Sequence, residues 1–183
     1  MATVPAALLP LSAAAVLDHA VDPETGLQRW HWNHRGVSLQ LVQRQPDQTR
    51  AFFLGRGFGT SVADRIGRSC VFQTIFRNDG RGIVEYDLDR WKVIRDGRTQ
   101  PPLTRERWSA RLQSTGVPQG PLIALRWSLL PTRQRFQPGD YNWGMISFGP
   151  APGEQFDLTI ELDVGGNRID ARIPAIECPP EQP

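Results

Sequence analysis

The sequence predicts an all-β domain, a β-sandwich of about 7–9 antiparallel strands with one short helix near residues 61–68. Apolar and polar residues alternate over short segments, and glycine, proline, asparagine and aspartate separate these segments. The clearest alternation is at residues 156–164, where five apolar positions alternate with four polar ones. The chain of 183 residues, 39% of them hydrophobic, is long enough to bury a sizeable core.

Further strands are predicted before and after residues 156–164, each bounded by turn residues. They cover residues 37–42, 52–54, 70–77, 83–88, 91–94, 122–130, 141–148 and 168–173. The turns between them are Gln45-Pro46-Asp47, Asn78-Asp79-Gly80, Asp96-Gly97, Pro138-Gly139-Asp140 and Gly165-Gly166-Asn167. Residues 97–121 form a polar, proline-interrupted connection with one helical turn at 104–108.

The short helix at 61–68 follows the glycines at 55, 57 and 59. Ser61 can act as the N-cap, with Asp64 three residues later at the positive end of the helix dipole. Gly67 predicts that the helix ends near Arg68. Its apolar face consists of Val62, Ala63 and Ile66.

The chain divides into an N-terminal arm at 1–35, the β-sandwich domain at 36–178 and a C-terminal tail at 179–183. Residues 1–20 contain an apolar stretch that ends in small residues, which resembles a secretory signal, although no lysine or arginine precedes Arg29. The alternative is a folded helix that packs on the domain through Leu8, Leu9, Leu11 and Val16. The sequence therefore predicts a periplasmic or secreted protein, with a cytoplasmic one as the alternative.

The net charge is only +2, and the basic residues are spread along the chain. A nucleic-acid partner needs a concentrated basic surface, so we expect none. The N-terminal apolar stretch is too short and too interrupted by proline for a transmembrane span.

The two cysteines, Cys70 and Cys178, are candidates for a disulfide. Cys70 lies at the start of a predicted core strand and Cys178 follows the last one, so a bond would tie the C-terminal tail to the sheet. On the chain-entropy model such a bond would contribute about 4 to 5 kcal/mol. In the cytosol both thiols would stay reduced.

The alternative use of these cysteines is metal binding. His31 and His34 form the only metal-like cluster, although residues three apart on a strand point to opposite faces. Thiolates suit copper or zinc. The hypothesis is then a metal-handling accessory protein whose ligands come from His31, His34, Cys70, Cys178 and Met145; otherwise we expect no cofactor.

No complete catalytic motif is present, so the sequence favours a non-catalytic role and no catalytic residue is assigned. The glycines at 55, 57 and 59 match neither the phosphate-loop nor the dinucleotide pattern. The carboxylate pairs Glu85 with Asp87 and Glu161 with Asp163 have the spacing of side chains that point outward from a sheet.

The order of predicted elements resembles that of bacterial extracytoplasmic immunoglobulin-like sandwich domains. The resemblance rests on the Asn78-Asp79-Gly80 turn, the strands at 83–88 and 91–96, and Pro138-Gly139-Asp140 before the strand that contains Trp143 and Gly144. It covers about residues 70–175. It implies an immunoglobulin-like β-sandwich that acts as a binding, scaffolding or accessory module without catalytic residues.

We therefore expect a non-catalytic extracytoplasmic binding or assembly module whose partner is another protein. Large aromatic side chains are common at protein interfaces. The candidates for the contact surface are Trp30, Trp32, Trp108, Tyr141 and Trp143.

Overall fold

The computed structural model describes residues 14–181. Its strands are β1 Val16–Val21, β2 Gln28–His34, β3 Val37–Gln43, β4 Val71–Asn78, β5 Val84–Asp87, β6 Lys92–Arg95, β7 Arg98–Gln100, β8 Arg133–Phe136, β9 Tyr141–Ser147, β10 Gln155–Val164 and β11 Asn167–Glu177. Its α-helices are α1 Pro46–Leu54, α2 Thr60–Gly67, α3 Arg105–Leu112 and α4 Gln119–Ser128. Short 3₁₀ turns lie at Leu88–Arg90 and Gln113–Thr115.

The strands form two antiparallel sheets. The first sheet has the order β1-β2-β3-β4-β9. In the second, β10 is central because Leu158 pairs with Ile173 of β11 on one side and with Val93 of β6 on the other. Strand β5 pairs with the later part of β10, and β7 and β8 continue the sheet beyond β6 and β5.

The main hydrophobic core contains residues of both sheets. Alternate positions of β4, such as Phe72 and Phe76, point into it and are fully buried. Phe76 meets Tyr86 of the second sheet with ring centroids 5.1 Å apart. The two sheets therefore face each other across one apolar layer, as the alternation in the sequence predicts.

The helices form a second core on the outer face of the first sheet. Phe53, Ile66, Trp108 and Leu125 come from α1, α2, α3 and α4 respectively and are buried together with Met145 of β9. This end of the first sheet is thus covered on both faces.

The prediction of an all-β fold with 7–9 strands and one helix is only partly right. The described part of the chain is mostly β, with eleven strands, but it contains four α-helices. Residues 46–54 form α1 instead of a turn and a strand. Pro46 occupies the start of that helix, where a missing N–H costs nothing and the fixed φ is favourable.

The predicted strand at 122–130 is also wrong, since residues 119–128 form α4. A short apolar run fits either a strand or a buried helix, and here the helix places Leu125 in the core while Ile123 and Trp127 point outward. The predicted turn at 104–108 begins a longer helix, α3, whose N-cap Thr104 accepts a hydrogen bond from the Arg107 amide.

The helix expected at 61–68 is present as α2, one residue earlier. Its N-cap is Gly59, so Ser61 lies inside the helix and does not cap it. The predicted apolar face is buried: Val62, Ala63 and Ile66.

The segment 1–35, expected to be an arm, contributes β1 and β2 to the first sheet. Leu8, Leu9 and Leu11 of the predicted signal or helix lie outside the described residues, whereas Val16 belongs to β1 and is 63% exposed. Within residues 14–181 none of the helices combines the length and apolarity that a membrane crossing requires.

Cys70 and Cys178 form the predicted disulfide. Cys70 lies between α2 and β4 with φ of 57°, a left-handed conformation that non-glycine residues rarely adopt. The C-terminal tail after the disulfide continues to the helices, where Glu181 forms ion pairs with Arg50 and Arg68.

Candidate functional site

The candidate site lies on the outer face of the first sheet, beside the helices. Cross-strand partners share a face, and Trp143 of β9 pairs with Ile75 of β4 while Tyr141 pairs with Arg77. Because Phe72 and Phe76 point into the core, their neighbours on β4 point outward. Trp143 is 66% exposed and Tyr141 58%, so β9 presents two large aromatic side chains to solvent.

Helix α4 forms one wall of the site. Ala124, Trp127 and Ser128 lie on one side of this helix, at the i, i+3 and i+4 spacing, and line the same cleft as Trp143. Trp127 is 80% exposed. The cleft between α4, α1 and the sheet has a volume of about 330 Å³.

We call this feature the tryptophan–arginine cleft. It is lined by Arg44, Phe52, Arg56, Gln73, Ala124, Trp127, Ser128, Trp143, Gly144 and Met145.

Gly144 allows the chain that follows α4 to approach the sheet closely. A Cβ atom at this position would lie 2.9 Å from the Leu130 nitrogen and 3.2 Å from the Leu129 carbonyl carbon. The Leu130 amide donates to the Met145 carbonyl at 3.0 Å, which fixes the chain after α4 against β9. The backbone therefore sets the position of Trp127 relative to Trp143.

Two guanidinium groups lie close to the Phe52 ring. The Arg56 Cζ atom lies 3.2 Å from the ring centroid and the Arg44 Cζ atom 5.1 Å from it, both within the range of cation–π attraction. Arg44 follows β3, and its amide donates to the Val71 carbonyl at 3.2 Å. Arg56 lies after α1, where its Nη1 donates to the Phe52 carbonyl at 3.1 Å.

The cleft is electropositive. Its lining contains two arginines and no carboxylate, and neither arginine forms an ion pair within residues 14–181. The buried Nε of Arg44 has no hydrogen-bond partner among the described residues. Burial and the nearby positive charge of Arg56 lower the pKa of Arg44.

Three of the five aromatic residues expected on a contact surface are buried. Trp30 and Trp32 point into the core between the sheets. Trp108 is fully buried in the helical core, where its indole N–H donates to the Ser147 hydroxyl at 3.2 Å. Only Tyr141 and Trp143 are exposed, as that prediction requires.

Trp127 was missed because the predicted strand placed it on a core face with Ile123, Leu125 and Leu129. A helical periodicity would have separated Leu125 from Trp127 by 200°, about opposite sides of the helix. The proline at 118 before this segment was the available signal for a helix start.

The metal candidates do not meet in one site. His31 pairs with the outward-facing position Gln40, whereas His34 is on the opposite face of β2, beside the buried Trp32. Both cysteines are used in the disulfide, and Met145 lies in the helical core. No group of three or more His, Cys, Asp or Glu side chains that could hold a metal ion is found in residues 14–181.

The carboxylates at 161 and 163 do not both point to solvent. Glu161 is 5% exposed and forms ion pairs with Arg168 and, at 2.7 Å, with Arg90. On the neighbouring strand Asp87 pairs with Arg133 at 2.7 Å and Glu85 with Arg135 at 3.4 Å. Each of the three carboxylates is thus paired with arginine, and these ion pairs give the carboxylates a structural role.

A larger cleft of about 480 Å³ lies beside the β6–β7 hairpin. Its lining has no aromatic side chain, and its Arg95 is already paired with Glu154. We therefore take the tryptophan–arginine cleft as the candidate site.

Comparison of the chain with protein-family models, curated proteins and solved structures gives no match in any of the three.

Proposed function

We propose that this protein is a non-catalytic binding or assembly module that acts outside the cytoplasm, in the periplasm or after secretion. In this proposal another protein docks on the outer face of the first sheet, over Tyr141, Trp143 and Trp127. The observation that carries the proposal is the exposure of these three aromatic side chains, between 58% and 80%, along one edge of the fold.

Energetic considerations support docking on this surface. Tryptophan, tyrosine and arginine are the residues that contribute most to protein–protein binding, and they do so where water is excluded around them. Trp143 and Trp127 border a concave surface with two arginines, so a partner that fills the cleft would remove both rings from water. The backbone between the two residues is held by the hydrogen bond from the Leu130 amide to the Met145 carbonyl, which reduces the backbone ordering cost of binding.

The disulfide supports the extracytoplasmic part of the proposal. It is compatible with an extracellular location, since disulfides form and persist in oxidising compartments and are rare in the cytosol.

We also propose that the fold is related to bacterial extracytoplasmic immunoglobulin-like domains. Two facing antiparallel sheets support it, as does the Pro138–Asp140 turn before β9. The uninterrupted β1-β2-β3-β4 order differs from that of immunoglobulin domains, in which neither sheet contains four consecutive strands in chain order.

The test is site-specific photo-cross-linking in the native cells, followed by reconstitution. A cross-linking amino acid is placed at Tyr141, and in a matched control at Thr99, which is exposed on β7 of the second sheet. We expect one protein to be cross-linked from position 141 and not from 99, and the purified pair to form a stoichiometric complex. The proposal fails if no cross-linked protein re-forms a complex, or if both positions capture the same proteins equally.

A further inference from the structure

The tryptophan–arginine cleft has cationic donors without an anionic acceptor. Arg44 is half-buried, and among residues 14–181 its Nε has no hydrogen-bond partner while its Nη2 donates to the Gln48 carbonyl at 3.4 Å. Arg56 is held over the same Phe52 ring. Two neighbouring guanidinium groups repel each other, and burial increases that cost.

We infer that the Arg44–Arg56 pair is a carboxylate-binding subsite, and that the docked partner presents an acidic group next to an aromatic or large apolar side chain. This inference rests on the proposed function and names the chemistry of its partner.

The geometry suits a carboxylate. A guanidinium offers donors in a planar fork that matches two carboxylate oxygens, and charge-assisted hydrogen bonds of this kind are among the strongest in proteins. Both guanidinium groups lie within cation–π distance of the same Phe52 ring, which keeps the two charges at one end of the cleft. The side chain next to the carboxylate would then lie against the apolar surfaces of Trp127 and Trp143, which border the same cleft.

Gln73 limits the polar contacts available deeper in the cleft. Its Nε2 donates to the Gly144 carbonyl at 3.1 Å, so this amide is already engaged in holding β4 to β9. The lining also offers two guanidinium cations and the indole rings of Trp127 and Trp143 to a ligand. A neutral sugar could accept hydrogen bonds from the arginines, but it carries no charge to offset theirs, so it would bind without the charge-assisted contribution.

The test uses N-acetylphenylalanine as a probe, with its uncharged amide, N-acetylphenylalaninamide, as the matched ligand. Binding to the disulfide-bonded protein is followed by NMR, through the arginine Nε–H and tryptophan indole N–H resonances. We expect the acid to shift the resonances of Arg44 and Trp143 saturably, and the amide to bind about tenfold more weakly. Inorganic phosphate is the third ligand, to distinguish a planar carboxylate site from a general anion site.

Two variants and one control complete the test. Arg56→Gln removes an exposed cation and Arg44→Gln a half-buried one, so the first remains informative if the second unfolds. Each should abolish the preference for acid over amide. Arg98→Gln, an exposed arginine on β7, should leave it unchanged.

The inference is overturned if acid and amide bind equally, as a neutral-ligand or glycan site would require, or if phosphate binds more tightly than the acid. It is also overturned if the arginine variants bind the acid as well as the wild type does. Failure of the docking function gives a different result. The acid probe would bind as expected, but the reconstituted partner would bind Trp143→Ala as tightly as the wild type. Conversely, suppose that the partner binds Trp143→Ala more weakly while the acid and the amide bind the wild type equally. That result would refute the carboxylate subsite and leave the docking function intact.

Discussion

Cys70 immediately precedes β4 of the first sheet, and Cys178 immediately follows β11 of the second, so their disulfide connects the two sheets covalently. Both residues belong to the core between the sheets. The bond also anchors the tail that carries Glu181 to the helices.

Reduction of this bond should destabilise the fold. Because the cysteines are separated by 108 positions, we expect the free energy of unfolding to fall by about 2–5 kcal/mol. Urea unfolding of the oxidised and reduced protein measures this difference. The Cys70→Ala, Cys178→Ala double variant is the control, since its stability should not respond to reductant. Equal stability of the oxidised and reduced wild type would show that the bond does not restrict the unfolded chain.

The tail should contribute a pH-dependent stabilisation. Hydrogen bonds from Arg68 and Arg50 lower the pKa of Glu181 from 4.5 to about 2. The unfolded state therefore binds this proton more readily than the folded state, and the stabilisation is present above pH 4.5 and is lost as the pH falls towards 2. Glu181→Gln should reduce the urea midpoint at pH 7, and the difference from wild type should vanish in acid.

Glu24→Gln, at an exposed glutamate between β1 and β2, is the matched control for the loss of one negative charge. It should leave the urea midpoint unchanged. A Glu181→Gln difference that persists undiminished at pH 2 would contradict the assigned ion pairs. High salt should also reduce the difference, because Glu181 and its partners are partly exposed.

Gly144→Ala should disturb the candidate site through the backbone. The new Cβ would lie 2.9 Å from the Leu130 nitrogen, and that backbone can move only by shifting the chain that follows α4. We expect a loss of about 1–3 kcal/mol in unfolding free energy and a change in the Trp127 indole resonance. Gly120→Ala is the control and should be neutral or stabilising, because within residues 14–181 no atom beyond the neighbouring residues and the helix's own backbone lies within 4 Å of the added Cβ. An unchanged Trp127 resonance in Gly144→Ala would show that this contact does not position α4.

The tryptophans should separate into structural and surface groups. Trp143→Ala and Trp127→Ala should change the unfolding free energy by less than about 0.5 kcal/mol, since both rings are exposed. Trp32→Ala should cost about 3–5 kcal/mol, because that ring fills the core between the sheets. Thermal or urea unfolding of the three variants compares them directly. A large loss of stability in Trp143→Ala would place its ring in the folded core and remove it from the docking surface.

The sheets could be predicted from the sequence better than the helices could. The β10–β11 hairpin follows from strict alternation and the Gly165-Gly166-Asn167 turn, and alternation is specific for a strand with two different faces. Helices α1 and α4 were missed because each contains a short apolar run that also fits a strand. Packing against β4 and β9 decides between helix and strand for these segments, and this packing cannot be seen in the local sequence.

The aromatic residues of the site could be predicted only in part, and its arginines could not. Tyr141 and Trp143 were expected on a contact surface and are exposed, but no sequence signal separated them from the buried Trp30, Trp32 and Trp108. The arginines of the cleft could not be predicted, because Arg44 and Arg56 are brought together only by helix α1 between them.

We propose above that a partner protein docks on the tryptophan–arginine cleft. The most direct measurement is the affinity of the reconstituted partner for the wild type and for Trp143→Ala by titration calorimetry, with Thr99→Ala as the control. We expect Trp143→Ala to weaken binding by about 30-fold or more without loss of stability, and Thr99→Ala to have no effect. Equal affinity of Trp143→Ala and wild type would contradict it.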